Sequence, residues 1–588
     1  MKDNLLDVYK RFIKEFNFND DEKAYGLFFE YLLLIESKEI LGNHKNYRSE
    51  IEDSYISFMY DNLYSKKRNS YKPEIIGRTF ERIINRKSIG AYYTPQVVTN
   101  YMTKRSLDTA LQHFELNEIR ILDPTCGAGA FLEQAFRLVV ELRFKAETNS
   151  QKIDDVIIET SKQIYGLDIS DIAVEISRFR LNILALEYGL NVSKIGLLQF
   201  NLYVGNAVYE ETDIYLDEIR INKYIEDQAI CFEEWKKEVK PFNFSKAFKN
   251  INVIVGNPPY IEFNKIKSYV TTLSSSSCGN IYAPILEKSY NLLGENGVLG
   301  MIIPISFSTT KRMNKIFYYI YQHSEELIIE NYADRPGSLF SGVHQKLNII
   351  FAKKKNEGNC KLKTSDYIHF SSDEIEHLFK DRKEYLLDSK YIAFKPKLCS
   401  KVESSIFSKV INVDRSSFFK KEANYKLFLS RRACFWMKTF LNEKNITNDY
   451  MELSLESLRV SRQVYSILNS SLFFWFWEKI SDCWHVRKTD IDSFNFDIGL
   501  LHNELIELSY IVEKKLEETK VYIGSKQIDY EYKHKKIKDI LDLIDIELAK
   551  LYGLTDQELE YILNYKLKYR LSDHFKVYTR KRGGKCLK

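Results

Sequence analysis

The sequence predicts an α/β core on an open, mostly parallel sheet, with a helical segment before it and a mainly α region after it. Three stretches carry that prediction. Ile251-Asn252-Val253-Ile254-Val255-Gly256 is a β-branched apolar run that enters Asn257-Pro258-Pro259-Tyr260, the pattern of a buried parallel strand running into a turn. Ile119 to Leu122 is a similar run, followed by Asp123-Pro124, a Gly127-Ala128-Gly129 turn and a long helix to about Glu147. Gln163 to Leu167 ends in Asp168 and leads into a helix from Asp171 to Tyr188. Repetition of strand, turn and helix marks βαβ units, whose ligands bind beyond the carboxyl ends of the strands.

The chain opens with residues 1–86, charged, helical in spacing and without a strong strand signal. Ile75 to Arg86 continues that spacing into Gly90-Ala91-Tyr92-Tyr93-Thr94-Pro95. Asp20, Asp21 and Glu36-Ser37-Lys38 are loosely like the Asp and Glu-x-Lys of metal-dependent nucleases. So short a pattern arises often by chance, and the sequence predicts no nuclease here. Thr94 is positioned to cap a helix from Val97 to Leu111, with Pro95 in its first turn. Gly127 and Gly129 let the backbone approach a ligand closely, while Asp123 puts a carboxylate at the strand end. That carboxylate would repel a pyrophosphate, and a third glycine is missing, since position 132 is leucine. A neutral or cationic cofactor is preferred.

A third strand is predicted from Leu197 to Val204, ending in Gly205-Asn206-Ala207. Residues 208–250 form a charged insertion to which the sequence assigns no chemistry. The Ser/Thr-rich stretch from Lys265 to Asn280 reads as a mobile loop. A helix from Ile281 to Leu293, a turn over 294–297 and a strand from Val298 to Pro304 continue the alternation, which Leu339-Phe340 and a last strand from Val343 to Lys353 complete. The catalytic domain therefore spans 87–355. Beyond it the alternation stops and basic residues gather among aromatics over 356–500. Amphipathic helices follow over 501–567, then a basic tail over 568–588.

At 588 residues the chain exceeds one typical core, so several domains are expected. With 44% hydrophobic and 14% aromatic residues, disorder is excluded as the main state. A net charge of only +5 means that nucleic-acid binding must rest on local basic patches. The eight cysteines contain no Cys-x-x-Cys, which predicts no zinc site and a reducing, cytoplasmic setting. Met1 to Lys14 lacks a signal-peptide core, and the longest apolar runs, Leu27 to Ile35 and Leu472 to Trp477, are too short to span a bilayer.

The turn after the Ile251 strand has its own chemistry. Two prolines lack N–H groups and stiffen the chain, so their carbonyls point outward. An asparagine amide, the Pro258 carbonyl and the Tyr260 ring suit a planar group that bears an NH2, with acceptors for both hydrogens and a face to stack on. Asn257-Pro258-Pro259-Tyr260 after an apolar strand resembles the catalytic motif of S-adenosylmethionine-dependent amino-group methyltransferases, chiefly adenine-specific (N6) DNA methyltransferases. Glutamine methyltransferases acting on release factors share the four residues. The Tyr93-Thr94-Pro95 turn and the Asp123 to Gly129 loop resemble the other cofactor-side elements of the DNA enzymes. The order of cofactor loop, catalytic turn and recognition region resembles their gamma arrangement.

The resemblance covers most of the chain after about residue 75. It implies a Rossmann-like core on a mostly parallel seven-stranded sheet, catalysis by Asn257, Pro258, Pro259 and Tyr260, and no metal. Tyr93, Thr94, Pro95, Asp123, Gly127, Gly129, Asp168, Ile169 and Asn206 would hold S-adenosylmethionine. Asp168 would accept from the ribose hydroxyls, and Ile169 would cover a face of the cofactor adenine. Asn206 stands where the family usually has Asp, and would accept from the adenine amine without charge assistance. Phe340 is at the place of a second aromatic around the flipped base. Val464 to Trp477 and Asp482 to Val486 resemble the target-recognition domains of restriction–modification enzymes, where Arg431, Arg432, Arg459, Arg462 and Arg487 would read double-stranded DNA. A separately encoded restriction endonuclease would be the cognate partner. The rival readings are a bifunctional methylase–nuclease, a protein glutamine methyltransferase and a non-catalytic DNA-binding subunit. The two hundred residues of basic, aromatic chain after the core favour the DNA enzyme over the glutamine enzyme.

Overall fold

The computed structural model describes residues 4–16, 28, 29, 32, 76, 77, 79, 80, 93–146, 153–212, 214, 218–266, 268, 273–340, 343–355, 358–380, 382–441, 449–497, 499, 501–524 and 530–581. Asp20, Asp21 and Glu36-Ser37-Lys38 lie outside the described residues, as does the tail from 582 onward. The chain divides into two compact units, residues 1–362 with 370–380, and residues 363–369 with 381–588.

The first unit carries β1 (Ile121–Asp123), β2 (Ile164–Asp168), β3 (Asn201–Val204), β4 (Ile251–Gly256), β5 (Leu293–Pro304), β6 (Ser324–Tyr332) and β7 (Leu347–Lys354). β8 (Lys361–Ile368), along which the chain leaves this unit, and β9 (Tyr385–Leu386) extend the sheet to the order β3-β2-β1-β4-β5-β7-β6-β8-β9. β3, β2, β1, β4 and β5 run parallel. β7 runs antiparallel to both β5 and β6. The expected mostly parallel seven-stranded sheet is thus a mixed sheet of nine strands. β4 is buried at every residue and β1 likewise, as expected of central strands covered by helices on both faces.

Several boundaries differ from the sequence prediction. Val192–Leu197 is a 3-10 helix, so β3 starts only at Asn201. β5 already begins at Leu293, and residues 294–297, expected as a turn, belong to it. β7 begins at Leu347 rather than at Val343. β6, which the sequence did not predict, opens with Ser324-Glu325-Glu326, a polar start that hides six buried residues further on. Leu339 and Phe340 sit in the connection between β6 and β7.

Helices Gln96–Ala110, Ala130–Ala146 and Asp171–Glu187 accompany the parallel strands. Ser170 caps the last of them by accepting from the Ala173 N–H, which starts that helix directly behind Asp168. The 208–250 insertion contains helices Glu218–Gln228 and Phe232–Val239, and its core of Tyr209, Ile221, Trp235 and Val239 is fully buried.

The second unit is not purely helical. β10 (Tyr425–Ser430) pairs antiparallel with β11 (Thr439–Phe440) and β12 (Tyr450–Leu455). Helices Leu458–Asn469, Ser471–Ile480, Asn503–Thr519 and Lys538–Tyr552 make up much of the rest. Ser471–Ile480 is buried on all sides, which is why its aromatic run shows no amphipathic face. Lys479, at its end, is fully buried and lies 2.6 Å from both Asp366 and Glu403. Among the described residues no helix is long and apolar enough to cross a membrane.

Candidate functional site

The carboxyl ends of β1, β2, β3 and β4 surround a cavity of about 590 Å³. Its lining includes Thr94, Asp123, Gly127, Asp168, Ile169, Asn206, Asn257 and Pro259, so eight residues selected from separate stretches of sequence meet in one place. Tyr93 borders a small neighbouring recess with Thr94 and Arg180.

The glycine turn is tight. Gly127 and Gly129 both have positive φ, and a Cβ at Gly129 would lie 2.8 Å from Ser177 Oγ. The Ser177 hydroxyl donates to the Gly127 carbonyl, and the Cys126 N–H donates to Leu167 O, which pins the turn to β2. Asp168 is half-buried. Its Oδ2 accepts the Gly127 N–H at 2.9 Å and its Oδ1 the Ser170 N–H at 2.9 Å. A carboxylate has about four acceptor positions, so one on each oxygen remains for a pair of ligand hydroxyls. Burial pushes the Asp168 carboxyl above its ordinary range, against the pull of those N–H donors and of Lys240. Burial next to Asp168 and Asp123 likewise pushes the Cys126 thiol up. It stays a neutral wall residue.

Asn206 is placed differently from expectation. Its Oδ1 accepts from the N–H groups of Val208 and Tyr209, and its Nδ2 donates to Val239 O at 2.8 Å. Both ends of the amide hold the chain's own backbone. The insertion follows Asn206 closely, for Lys240 accepts the Asn206 N–H through its carbonyl and donates through Nζ to Ile169 O at 2.9 Å. Lys237, Glu238 and Lys240 therefore line the cavity, although the sequence assigned that segment no chemistry. No pattern within it distinguishes these residues from an ordinary charged helix face.

At the end of β4, Asn257 Nδ2 donates to Thr94 Oγ1 at 3.1 Å. Thr94 was expected to cap the helix behind it. Instead Pro95 occupies the cap position without any side-chain cap bond, and its carbonyl accepts from Val98 and Thr99. The threonine oxygen is used on the Asn257 turn. Tyr260 places its hydroxyl between Asn257 Oδ1 at 2.6 Å and Ile302 O at 2.9 Å. Its ring lies 6.4 Å from that of Phe340 and 6.3 Å, edge-on, from that of Tyr282. The structure thus brings Phe340 beside Tyr260.

The Ser-rich loop behind the turn is more ordered than predicted where it is described. Ser274–Cys278 forms a 3-10 helix, and buried Glu287 accepts from the N–H groups of Ser274 and Ser275. Glu262 and Arg312 form a two-bonded pair at 2.7 Å that also takes in Asn280.

In the second unit the five arginines divide. Arg462 pairs with Glu513 at 2.6 Å and lies over the Tyr510 ring. Arg487 pairs with Asp490 at 2.9 Å, and Arg459 donates to Asn503. Arg431 and Arg432 are exposed, on the loop between β10 and β11, with Arg431 bonded to Tyr450 O and Arg432 at 3.5 Å from Asp449. That loop is tied to 484–486 by Ala433 N–H to Trp484 O and Val486 N–H to Arg431 O. Among the described residues no cluster of three or more His, Cys, Asp or Glu could hold a metal ion.

Residues 162–335 match the Eco57I restriction-modification methylase family. That span contains Asp168, Asn206 and the Asn257 turn, while the glycine turn precedes it. Adenine-specific methyltransferase PglX of Streptomyces coelicolor is 25% identical over 269 residues, which are 41% of this chain and 21% of that protein. Type II methyltransferase M.BstVI of Geobacillus stearothermophilus is 24% identical over 243 residues, 39% of this chain and 36% of its own. Among solved structures, the type IIL restriction-modification enzyme MmeI in complex with DNA matches with a TM-score of 0.49 and 12% identity, covering 97% of this chain and 93% of that one. The chain spans less than half of the length of these curated relatives.

Proposed function

We propose that this chain is an S-adenosylmethionine-dependent DNA methyltransferase of a restriction–modification system, acting on the 6-amino group of an adenine flipped out of duplex DNA. The observation that carries the reading is the Asn257 amide, fixed by Thr94 at the mouth of the cavity that Asp168 and the glycine turn form. The match to a restriction-modification methylase family and the adenine-specific enzyme among its relatives support the substrate class.

The cavity chemistry fits the cofactor. Asp168 keeps acceptor capacity for two ribose hydroxyls, Gly127 and Gly129 allow close backbone approach, and Ile169 and Phe131 offer apolar wall. Asn206 would act by holding the 237–240 wall in place rather than by accepting from the adenine. The bound cofactor supplies a methyl carbon activated by its sulfonium.

Because Asn257 Nδ2 donates to Thr94, Oδ1 is the end that would accept from an incoming amino group. The Pro258 carbonyl would take the second hydrogen, and the Tyr260 ring would stack on the base. Asn257 Oδ1 already accepts the Tyr260 hydroxyl and, with two lone pairs, would accept the base's amino group through the second. As the nitrogen attacks, it loses conjugation with the ring and gains positive charge. Two fixed acceptors stabilise that state more than the flat ground-state amine, which is where the catalysis arises. A cognate endonuclease encoded separately completes the proposed system. The test is transfer from methyl-labelled S-adenosylmethionine to duplex DNA by the purified chain. N6-methyladenine in the digested product is the expected result, and label on protein glutamine or none at all overturns the reading.

A further inference from the structure

We infer that Phe80 forms part of the wall of the cofactor site, its position set by Gly77 and Arg180. The inference rests on the cofactor reading above and adds to it a residue that precedes the Tyr93-Thr94-Pro95 turn. Phe80 lines the same cavity as Asp123, Gly127 and Asp168, and is only 1% exposed. Its ring meets Phe29 edge-on at 5.1 Å, Phe29 meets Phe28 at 5.4 Å, and Phe28 meets Tyr9 and Phe12 at 5.1 and 5.4 Å. A continuous run of aromatic contacts therefore backs Phe80 and holds it against the cavity.

A Cβ at Gly77 would lie 2.6 Å from Arg180 Nη1 and 3.2 Å from the Ala128 Cβ. Ala128 is the middle residue of the Gly127-Ala128-Gly129 turn, and Arg180 Nη1 donates to its carbonyl while Nη2 pairs with Glu133. Arg180 is itself buried, at 3% exposure, so it has little room to give way. Gly77 thus rests directly on the loop that approaches the cofactor, and its missing Cβ permits that approach. The arrangement brings the Phe80 ring to the wall of the cavity that the cofactor reading assigns to a purine nucleoside with a sulfonium. A ring at that wall adds apolar contact. Phe80 is a cofactor-contacting wall residue, and Arg180 a positioning residue that acts through the glycine turn.

The experiment uses the full chain with Phe80→Ala, Phe80→Leu and Phe80→Tyr. Binding of S-adenosylmethionine is measured by calorimetry, the thermal midpoint is measured without cofactor, and turnover on duplex DNA is measured at saturating cofactor. Removing the ring should raise the cofactor Kd on the order of ten- to a hundredfold, as loss of a buried aromatic contact does. Tyrosine should restore binding close to wild type, and any loss of cofactor-free stability in Phe80→Leu should be smaller than its loss of affinity. KM for the cofactor should rise with Kd while kcat holds. Should Phe80→Ala fail to fold, the leucine variant decides, because it keeps apolar bulk and loses only the ring. Wild-type affinity in Phe80→Leu, or a loss of affinity matched by an equal loss of cofactor-free stability, overturns the inference. A wild-type protein that binds no S-adenosylmethionine overturns the cofactor reading and this inference with it.

Discussion

Thr94→Val keeps the shape of a buried side chain and removes one oxygen, the acceptor to which Asn257 Nδ2 donates at 3.1 Å. Thr94 is only 4% exposed, so bulk water is poorly placed to substitute. Withdrawing the partner of a buried amide donor costs about 1–3 kcal/mol. The Asn257 amide would then sample the flipped orientation, which presents a donor to the substrate's own N–H hydrogens and cannot support transfer. If the whole cost falls on the transition state, the single-turnover rate drops by roughly 5- to 150-fold. Thr94→Ser retains the oxygen and should remain close to wild type. The assay is single-turnover methyl transfer at saturating cofactor, with the cofactor Kd measured separately because Thr94 also lines the cavity. A valine variant that transfers at the wild-type rate would refute the claim that Thr94 orients the catalytic amide.

Asp168→Asn should weaken cofactor binding in calorimetry. In the wild type the raised carboxyl means that affinity should fall with decreasing pH sooner than an ordinary aspartate would allow, since protonation removes acceptors, and the asparagine variant should lose that slope. Lys479→Met should cost about 3–5 kcal/mol in urea unfolding, because Asp366 and Glu403 lose their buried cation. Alanine at Arg462 or Arg487 should lower stability and leave the methylated DNA motif intact, whereas alanine at Arg431 or Arg432 should relax it at one position, as methylome sequencing would read. Duplex DNA incubated with the purified chain and Mg2+ should stay uncut, and methyl transfer should survive EDTA. Metal-dependent cleavage on a gel would revive Glu36 as a nuclease residue.

The parts of the site legible in the sequence were those whose chemistry is local. A buried strand, the residue at its end and the turn after it are contiguous, so β1 with the glycine turn, β2 with Asp168 and β4 with Asn257 could all be read in order. Strand direction and order are not local. Nothing in Val343 to Lys353 says that β7 inserts antiparallel between β5 and β6, and the polar opening of β6 masked a buried strand. Partners distant in sequence were invisible too. Arg462 looked like a base reader until Glu513, 51 residues on, appeared beside it. Thr94 looked like a helix cap because its amide partner is 163 residues away. Asn206 and Lys240 show the same limit, since their roles depend on how the insertion folds back over β2 and β3. Phe80 carried no signal beyond apolar helical spacing, which fits a core residue equally well.

The central claim is that Asn257 serves transfer to adenine in DNA and not the binding of cofactor. Long-read methylation sequencing of DNA from a host otherwise free of adenine methylation, expressing either the wild type or Asn257→Ala, tests it most directly. The account predicts N6-methyladenine at one defined sequence motif with the wild type and none with the variant, while the purified variant still binds S-adenosylmethionine. Methylation that persists in Asn257→Ala, or a wild type that leaves every adenine unmodified, would contradict it.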